Sequence, residues 1–394
     1  MKKIETLVEL FCHEPLKNII TALAFRPERL VMLLDHGDQN SDAYENTIRA
    51  LRARMPDLVI SYFEADCDDP DCIAEALDVL YAKYPDGVFD FTGGREMLLL
   101  SAFAFARRHD APMVHIDLPR KRLMNLNRCE ELEGSFVMPE LTLADHLNMN
   151  GAFFEGTGHV LMAPEQESAV RAFCQQVMRN QPRWRKQCNY FQAAAAGLEG
   201  QLHVDAPAAF VAANRSRVVC DLDYLYQLQD IGFLQNVQRM PNRVQFDFVN
   251  ETFKSYLTDV GVWLELYTYL MLRDTGIFQE IYMSVRVGWG DRADQYKGTA
   301  YNELDVVACN GLETIFISCK TSSPEPEDFN EIQVYAKKFG GRFGRAVLCT
   351  SHELGHGFVG MHTRAKDLGA AIIDRSDLRD GRAVRVLQDL MQVK

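Results

Sequence analysis

Short apolar runs alternate with amphipathic stretches through the first third of the chain. The runs at residues 5–12, 29–34, 58–63, 88–91 and 113–116 read as strands, and the stretches at 43–54, 72–83 and 97–108 repeat their apolar positions at helical spacing. Strand and helix in turn predict an α/β doubly wound parallel sheet. Such sheets bind ligands beyond the carboxyl ends of their strands, near the point where strand order reverses. Here those ends are Cys12-His13-Glu14, Asp35-His36-Gly37-Asp38 and Asp90-Phe91-Thr92-Gly93-Gly94-Arg95. In the last of these, paired glycines let the backbone approach a ligand, the following helix presents free N–H groups to an anion, and Arg95 adds a charge. A plain strand-to-helix turn with a solvated arginine has the same sequence. No G-x-G-x-x-G follows any of these strands, which disfavours an ordinary dinucleotide site.

From about residue 151 the rhythm changes. Residues 163–179 and 221–232 read as helices, and 233–240 with 244–249 as a hairpin around Pro241-Asn242, a combination that fits a small winged-helix-like connector. Residues 253–273 give a strong helical signal, with Trp263, Leu264, Leu266, Tyr267, Leu270 and Met271 on a broad apolar stripe. Glu265 lies inside that stripe, and a carboxylate there either reaches solvent or has a partner. Next comes a predicted hairpin, Asn302-Glu303-Leu304-Asp305 followed by Ile315-Phe316-Ile317-Ser318-Cys319-Lys320, then a helix over 331–339 and a strand over 345–349. The expected organisation is therefore three domains, at 1–150, 151–249 and 250–394.

An acid opening one strand and a lysine near the end of the next is how metal-dependent nucleases of the PD-(D/E)xK type are built. Strand residues two apart share a face, so the carboxylate and the lysine of (D/E)xK both look toward the metal. In this chain Ser318 holds the place of that carboxylate. Glu265, Asp305 and the backbone carbonyl of Cys319 remain as candidate ligands for Mn²⁺ or Mg²⁺, with Glu303 as a possible substitute. Lys320 suits the role of orienting a metal-bound water or neutralising developing charge. Glu265, Asp305 and Lys320 are the candidate catalytic residues.

Composition adds bounds. At 394 residues and 44.8 kDa the chain exceeds what one core usually organises, and 47% hydrophobic with 25% charged residues is ordinary for a globular protein. The net charge of −13 is uneven: the first 150 residues hold 16 Lys and Arg against 26 Asp and Glu. A phosphodiester is therefore expected to meet the rear of the chain. Ten cysteines, with no C-x-x-C pair, read as reduced thiols. The N-terminus carries Glu5 and lacks a long apolar segment, so a cytoplasmic protein is expected, with no membrane association.

The G-x-W-L-E of residues 261–265, the N-E-L-D of 302–305, the C-K-T of 319–321, the F-G-G of 339–341 and the R-A of 364–365 resemble the CARF-domain, restriction-endonuclease-like effectors of type III CRISPR immunity. The front sheet is similar to their CRISPR-associated Rossmann-fold sensor. The resemblance implies a homodimer that senses a cyclic oligoadenylate, with the tetra-adenylate first in line, and then cleaves DNA or RNA with a divalent metal. It implies ligand contacts at Cys12, His13, Glu14, Asp35, Thr92, Gly93, Gly94 and Arg95. Many such sensors carry Thr-Gly-Gly-Thr-Lys, whereas here Arg95-Glu96 follow the glycines.

Two other function classes fit parts of the sequence. His352-Glu353-Leu354-Gly355-His356 matches the H-E-x-x-H of zinc proteases, with His362 six residues on, although Val359 stands where metzincins place glycine. Ser318 supports a sensor or adaptor that binds nucleic acid without cutting it. Arg183-Trp184-Arg185-Lys186 is a compact basic–aromatic cluster of the kind that tracks a nucleic-acid backbone with one stacked base; a solvated helix face is the plainer alternative.

Overall fold

The computed structural model describes residues 4–211, 217–289, 301–354 and 359–392. It divides into two compact units, one made mainly of residues 1–153 and the other of 154–287 with 300–393. No helix among the described residues is long and apolar enough to cross a membrane. All ten cysteines are free thiols.

The front unit is built on six strands: β1 (Thr6–Leu10), β2 (Arg29–Asp35), β3 (Val59–Ala65), β4 (Val88–Asp90), β5 (Met113–Asp117) and β6 (Arg122–Asn127). They lie in the order β3-β2-β1-β4-β5-β6; the first five are parallel and β6 returns antiparallel along β5. β1 and β2 are buried on both faces, which is why they read as unbroken apolar runs. The order reverses between β1 and β4, so the Cys12 and Gly93 loops flank the switch point. Arg122 to Asn127 was not anticipated as a strand, because only Leu123 among its residues is fully buried.

The second unit contains β7 (Ala152–Thr157, within which the boundary between the units falls), β8 (His203–Pro207), β9 (Ala209–Val211), β10 (Arg217–Val219), β11 (Leu234–Met240), β12 (Arg243–Phe248), β13 (Glu280–Trp289), β14 (Asn302–Asn310), β15 (Glu313–Lys320), β16 (Gly344–Thr350) and β17 (Ala371–Ile373). Strands β11, β12 and β8 make a small antiparallel sheet beside the helices Glu167–Arg179, Gln181–Ala195 and Leu222–Asp230, the winged-helix-like element. The larger sheet runs β17-β16-β15-β14-β13-β7, antiparallel across β13, β14 and β15 and parallel across β15, β16 and β17. One apolar core extends from Val170 and Trp184 through Phe233 and Trp263 to Leu387. Residues 154–249 thus share their core with the large sheet.

The helical signal over 253–273 resolves into two helices, Glu251–Thr258 and Val262–Asp274. Asp259 breaks it: its Oδ1 accepts the Gly261 N–H (2.8 Å) and the Val262 N–H (3.3 Å), taking the place of the ladder and starting a new helix. The restart sets Glu265 in the first turn, where the helix dipole favours a carboxylate.

The F-G-G segment is structural. Helix Pro326–Gly340 crosses back from β15 and packs so closely that a Cβ on Gly344 would meet the Ala336 carbonyl oxygen at 2.1 Å, and one on Gly340 would meet Thr314 Oγ1 at 2.4 Å. Backbone cannot move aside as a side chain can. Gly344→Ala is expected to destabilise the protein by about 2 kcal/mol, read as a lowered urea midpoint with an unchanged slope.

Candidate active site and ligand pocket

At the carboxyl ends of the front strands, Asn18 pins the exit of β1. Its Oδ1 accepts the Cys12 N–H (3.0 Å) and its Nδ2 donates to the Cys12 carbonyl (2.7 Å). The Gly-Gly loop lies on this feature: a Cβ at Gly93 would meet Cys12 Sγ at 3.1 Å and the Leu10 carbonyl at 3.2 Å, and Gly94 has φ 111°. Thr92 turns inward, its hydroxyl donating to Asp90 Oδ1 (2.6 Å) and accepting the Ile116 N–H (2.8 Å), so its polar atoms serve the sheet. Arg95 forms an ion pair with Asp35 and lies 3.5 Å from Asp38, while His13 Nε2 is 2.8 Å from Asp38 Oδ1. Glu14 is exposed and paired with Lys17 at 2.7 Å. The structure therefore gathers Cys12, His13, Asp35, Gly93, Gly94 and Arg95 around the switch point. It adds Asn18 and Asp38 as the residues that tie them together.

Beneath the loop, Glu9 and Asp90 are register partners on β1 and β4, both fully buried. Burial, then the charge of Asp90, holds Glu9 well above the usual carboxylate range, and burial raises Asp90 as well.

In the second unit, the ladder between β14 and β15 is paired as far as Val306 opposite Ile317. There Asp305 intervenes: its Oδ2 accepts the Cys319 N–H at 2.6 Å and lies 3.4 Å from Ser318 Oγ. Glu265, reaching from the first turn of Val262–Asp274, accepts a hydrogen bond from Ser284 Oγ at 2.7 Å. Ser284 is fully buried and has φ 50°, a left-handed conformation uncommon for a non-glycine residue. Its carbonyl accepts the Gly158 N–H (2.6 Å), and its hydroxyl fixes the orientation of Glu265. Lys320 Nζ lies 3.0 Å from Asp328 Oδ1, and the other oxygen of Asp328 accepts the Glu325 N–H at the start of Pro326–Gly340. One carboxylate thus caps the crossover helix and anchors the lysine.

Asp305, Ser318, Lys320 and Asp328 open on a cavity of about 100 Å³ that Glu303, Glu331 and Tyr335 also line. Its charge is lopsided, with four carboxylates facing one ammonium. Burial, then the charge of Asp305, pushes Glu265 up to about 8. Burial also raises Asp305, although the Cys319 N–H and then Lys320 oppose it. Burial pulls the Lys320 ammonium down, but the hydrogen bond and charge of Asp328 outweigh this, and its pKa ends raised. Lys320 is therefore charged, and its charge is shared with Asp328.

Two acids that repel each other, with the nearest ammonium engaged elsewhere, lack positive charge. A divalent cation would supply it. Among the described residues no three His, Cys, Asp or Glu side chains are grouped as a ready metal cage. Mg²⁺ and Mn²⁺ do not need one, because they take hard oxygen ligands and are commonly held by one or two carboxylates with waters and substrate phosphate. Glu265, Asp305 and the Cys319 carbonyl fit that donor set, and Ser318 adds a neutral hydroxyl.

Residues 254–391 match the family model described as Card1-like, endonuclease domain. The match spans the helix that carries Glu265 and the strands that carry Asp305 and Lys320. Among solved structures the fold is similar to that of protein VC1899 from Vibrio cholerae, at 19% identity over 98% of each chain with a TM-score of 0.72. It is also similar to Can2 from Sulfobacillus thermosulfidooxidans, solved in complex with cyclic tetra-adenylate, at 17% identity over 98% of this chain and 99% of that one with a TM-score of 0.67. At those identities the likeness is one of fold. Against curated protein sequences the chain finds no match.

Two sequence readings change within the matched region and its surroundings. His352 and Glu353 follow β16 in a bend rather than on a helix; His352 Nε2 is 3.3 Å from the Thr321 carbonyl and Glu353 pairs with Arg379 at 3.1 Å. The i, i+4 geometry that zinc needs is not formed at their end of the motif, and Gly355, His356 and Gly357 lie outside the described residues. His362 falls on Val359–Asp367. The Arg183 to Lys186 cluster is split by its helix. Trp184 is 1% exposed and donates to the Val260 carbonyl, so it stacks no base, and Arg183 is held by Asp221 at 2.6 Å. Sequence reasoning missed Ser284, Asp328, Glu331 and Tyr335; Asp328 alone had a local signal, as the N3 acid of a helix start.

Proposed function

We propose that the chain is a divalent-metal-dependent nuclease that acts in type III CRISPR antiviral defence and is switched on by a cyclic oligoadenylate. The observation that carries this reading is the pair Glu265 and Asp305, half-buried, held in place by Ser284 and the Cys319 N–H, with Lys320 beside Asp305, in the region that matches a Card1-like endonuclease domain. Residues 1–150 are the sensor, 151–249 the connector and 250–394 the nuclease. The fold shared with a Can2 structure that holds cyclic tetra-adenylate supports that ligand as the activator.

In the sensor, Arg95 and the free N–H groups opening Glu96–Arg108 suit the ligand's phosphates. Cys12, His13 and Glu14 border the same end of the sheet. Met97, Leu100 and Phe103, 37%, 68% and 44% exposed at successive i, i+3 positions, give the following helix an apolar outer face. That face suits an isologous contact in a homodimer whose two-fold axis a symmetric cyclic ligand can share. Ligand that binds the closed arrangement more tightly shifts the population toward it. Ten free thiols fit a reducing cytoplasm.

In the nuclease, Glu265, Asp305 and the Cys319 carbonyl would hold the metal, which when bound would polarise the phosphodiester and lower the pKa of water. Ser284 keeps the Glu265 carboxylate aimed at it. Asp328 keeps the Lys320 ammonium charged and in place to orient the attacking water or to meet charge developing on the phosphate. The four-carboxylate cavity repels a bare phosphodiester, so substrate and cation enter together. A second reading, a sensor that binds without cutting, rests on Ser318 in place of a third carboxylate.

The test mixes the full chain with cyclic tetra-adenylate, Mn²⁺ and labelled single-stranded and supercoiled DNA. Ligand-dependent cleavage is expected. Tight ligand binding with no cleavage of DNA or RNA in Mn²⁺ or Mg²⁺ would instead establish the adaptor.

A further inference from the structure

The split of the basic cluster leaves Arg185 and Lys186 on the outer face of Gln181–Ala195, both exposed and neither with an acidic partner among the described residues. They line a groove of about 470 Å³ whose other walls include Thr321, Ser351, His352 and Arg375. The groove carries three basic side chains against the one carboxylate of Glu353, in a chain of net charge −13. It is also joined to the candidate active site. Thr321 follows Lys320, and its carbonyl accepts from Arg185 Nη2 at 3.0 Å; the Lys320 carbonyl accepts the Ser351 N–H at 3.1 Å.

A second feature points to a ligand rather than to a solvated surface. Ser351 is 2% exposed, it lines the groove, and its Oγ has no hydrogen-bond partner among the described residues. An unsatisfied buried hydroxyl is unfavourable, and an oxyanion acceptor relieves it. Arg185 spends one of its five N–H donors on Thr321 and keeps the others for a planar anion.

We propose that this groove binds the phosphodiester backbone of the nucleic-acid strand being cut, next to the cavity of Asp305 and Lys320. The proposal rests on the nuclease reading and assigns the strand's path through it. The acidic cavity attracts the metal and repels phosphate, so the strand needs an anchor of opposite sign beside it. Arg185, Lys186 and Arg375 supply it.

Equilibrium binding of a fluorescein-labelled 20-nucleotide single-stranded DNA, and of RNA of the same sequence, to the full chain in EDTA tests this without cleavage. Arg185→Gln with Lys186→Gln is expected to weaken binding about tenfold at 100 mM NaCl. The slope of log K against log salt should become shallower by about 1.4, the value for two single-strand phosphate contacts. Arg239→Gln with Arg385→Gln removes the same charge outside the groove and should change neither quantity. Lys186→Glu alone, with an unaltered thermal midpoint, should reproduce the loss if the double variant folds poorly. Equal losses in both double variants, or no loss in the groove variant, would overturn the proposal. A chain that binds through the groove but never cuts sinks the nuclease reading and leaves the groove standing; one that cuts with binding indifferent to Arg185 and Lys186 does the reverse.

Discussion

Asp305→Asn should lower ligand-activated cleavage by about 1,000-fold or more, equivalent to about 4 kcal/mol of transition-state stabilisation. The asparagine oxygen can still accept the Cys319 N–H that closes the β14–β15 opening, so the fold and the cavity stay. What goes is the charge. Without it Glu265 alone would face the proposed cation, with one carboxylate fewer to hold Mg²⁺ or Mn²⁺. Lys320→Ala should cost less, about 100-fold, because the metal still polarises the phosphate while water loses its guide. Both are read as single-turnover rates at saturating ligand and DNA. Cleavage that survives Lys320→Ala unchanged would remove the lysine from the reaction.

The second large effect is on stability. Glu265 titrates near the ordinary value of 4.5 when unfolded and at about 8 when folded. Between those values the folded chain holds a proton that the unfolded chain releases, so metal-free stability falls as pH rises from about 4.5 to 8 and then levels off. A shift of this size, discounted because Glu265 is only partly buried by its own surface, amounts to about 3 kcal/mol. Glu265→Gln should make that slope shallower, leaving the part that Glu9, Asp90 and Asp305 contribute, and Mn²⁺ should restore the wild type at pH 8 by binding only the folded form. Urea denaturation across pH 5 to 8, with and without metal, checks all three. A metal-free wild type as stable at pH 8 as at pH 5 would mean that Glu265 is not desolvated beside Asp305.

The alternation of strand and helix in the front unit was plain in the sequence because β1, β2 and β4 are buried on both faces and read as unbroken apolar runs. The hairpin bearing Asp305 and Lys320 was legible for the same reason, since Ile315, Phe316 and Ile317 are wholly buried. What failed was long-range. Periodicity joined residues 253–273 because apolar spacing continues through the break, and only the side chain of Asp259, folded back on Gly261, ends the first helix. Trp184 looked like a stacking platform until the core of the second unit closed over it. Ser284 is a serine in a strand by every local measure. Its left-handed backbone and its bond to Glu265 exist only once Val262–Asp274 packs on the sheet.

Phe339 and Gly340 of the F-G-G that carried part of the family likeness serve packing, whereas Asp328, which carried none, holds Lys320. Family motifs report where the backbone must come close as often as where chemistry happens. Ser318 reads differently in three dimensions as well. It lies beside Asp305 as a hydrogen-bonding neighbour, and a carboxylate there would add a third negative charge to a pair already short of positive charge. Ser318→Asp is expected to raise Mn²⁺ affinity about tenfold and to lower metal-free stability, as competition calorimetry and thermal unfolding would record.

Everything in this account turns on whether Glu265 and Asp305 share one divalent ion despite Ser318. Calorimetric titration of Mn²⁺ into the full-length chain at pH 8 decides it. One ion per chain, weakened at least tenfold in both Glu265→Gln and Asp305→Asn and unaffected by Glu353→Gln, is the predicted result. Mn²⁺ binding that is absent from the wild type, or that persists unchanged in either of the first two variants, would contradict it.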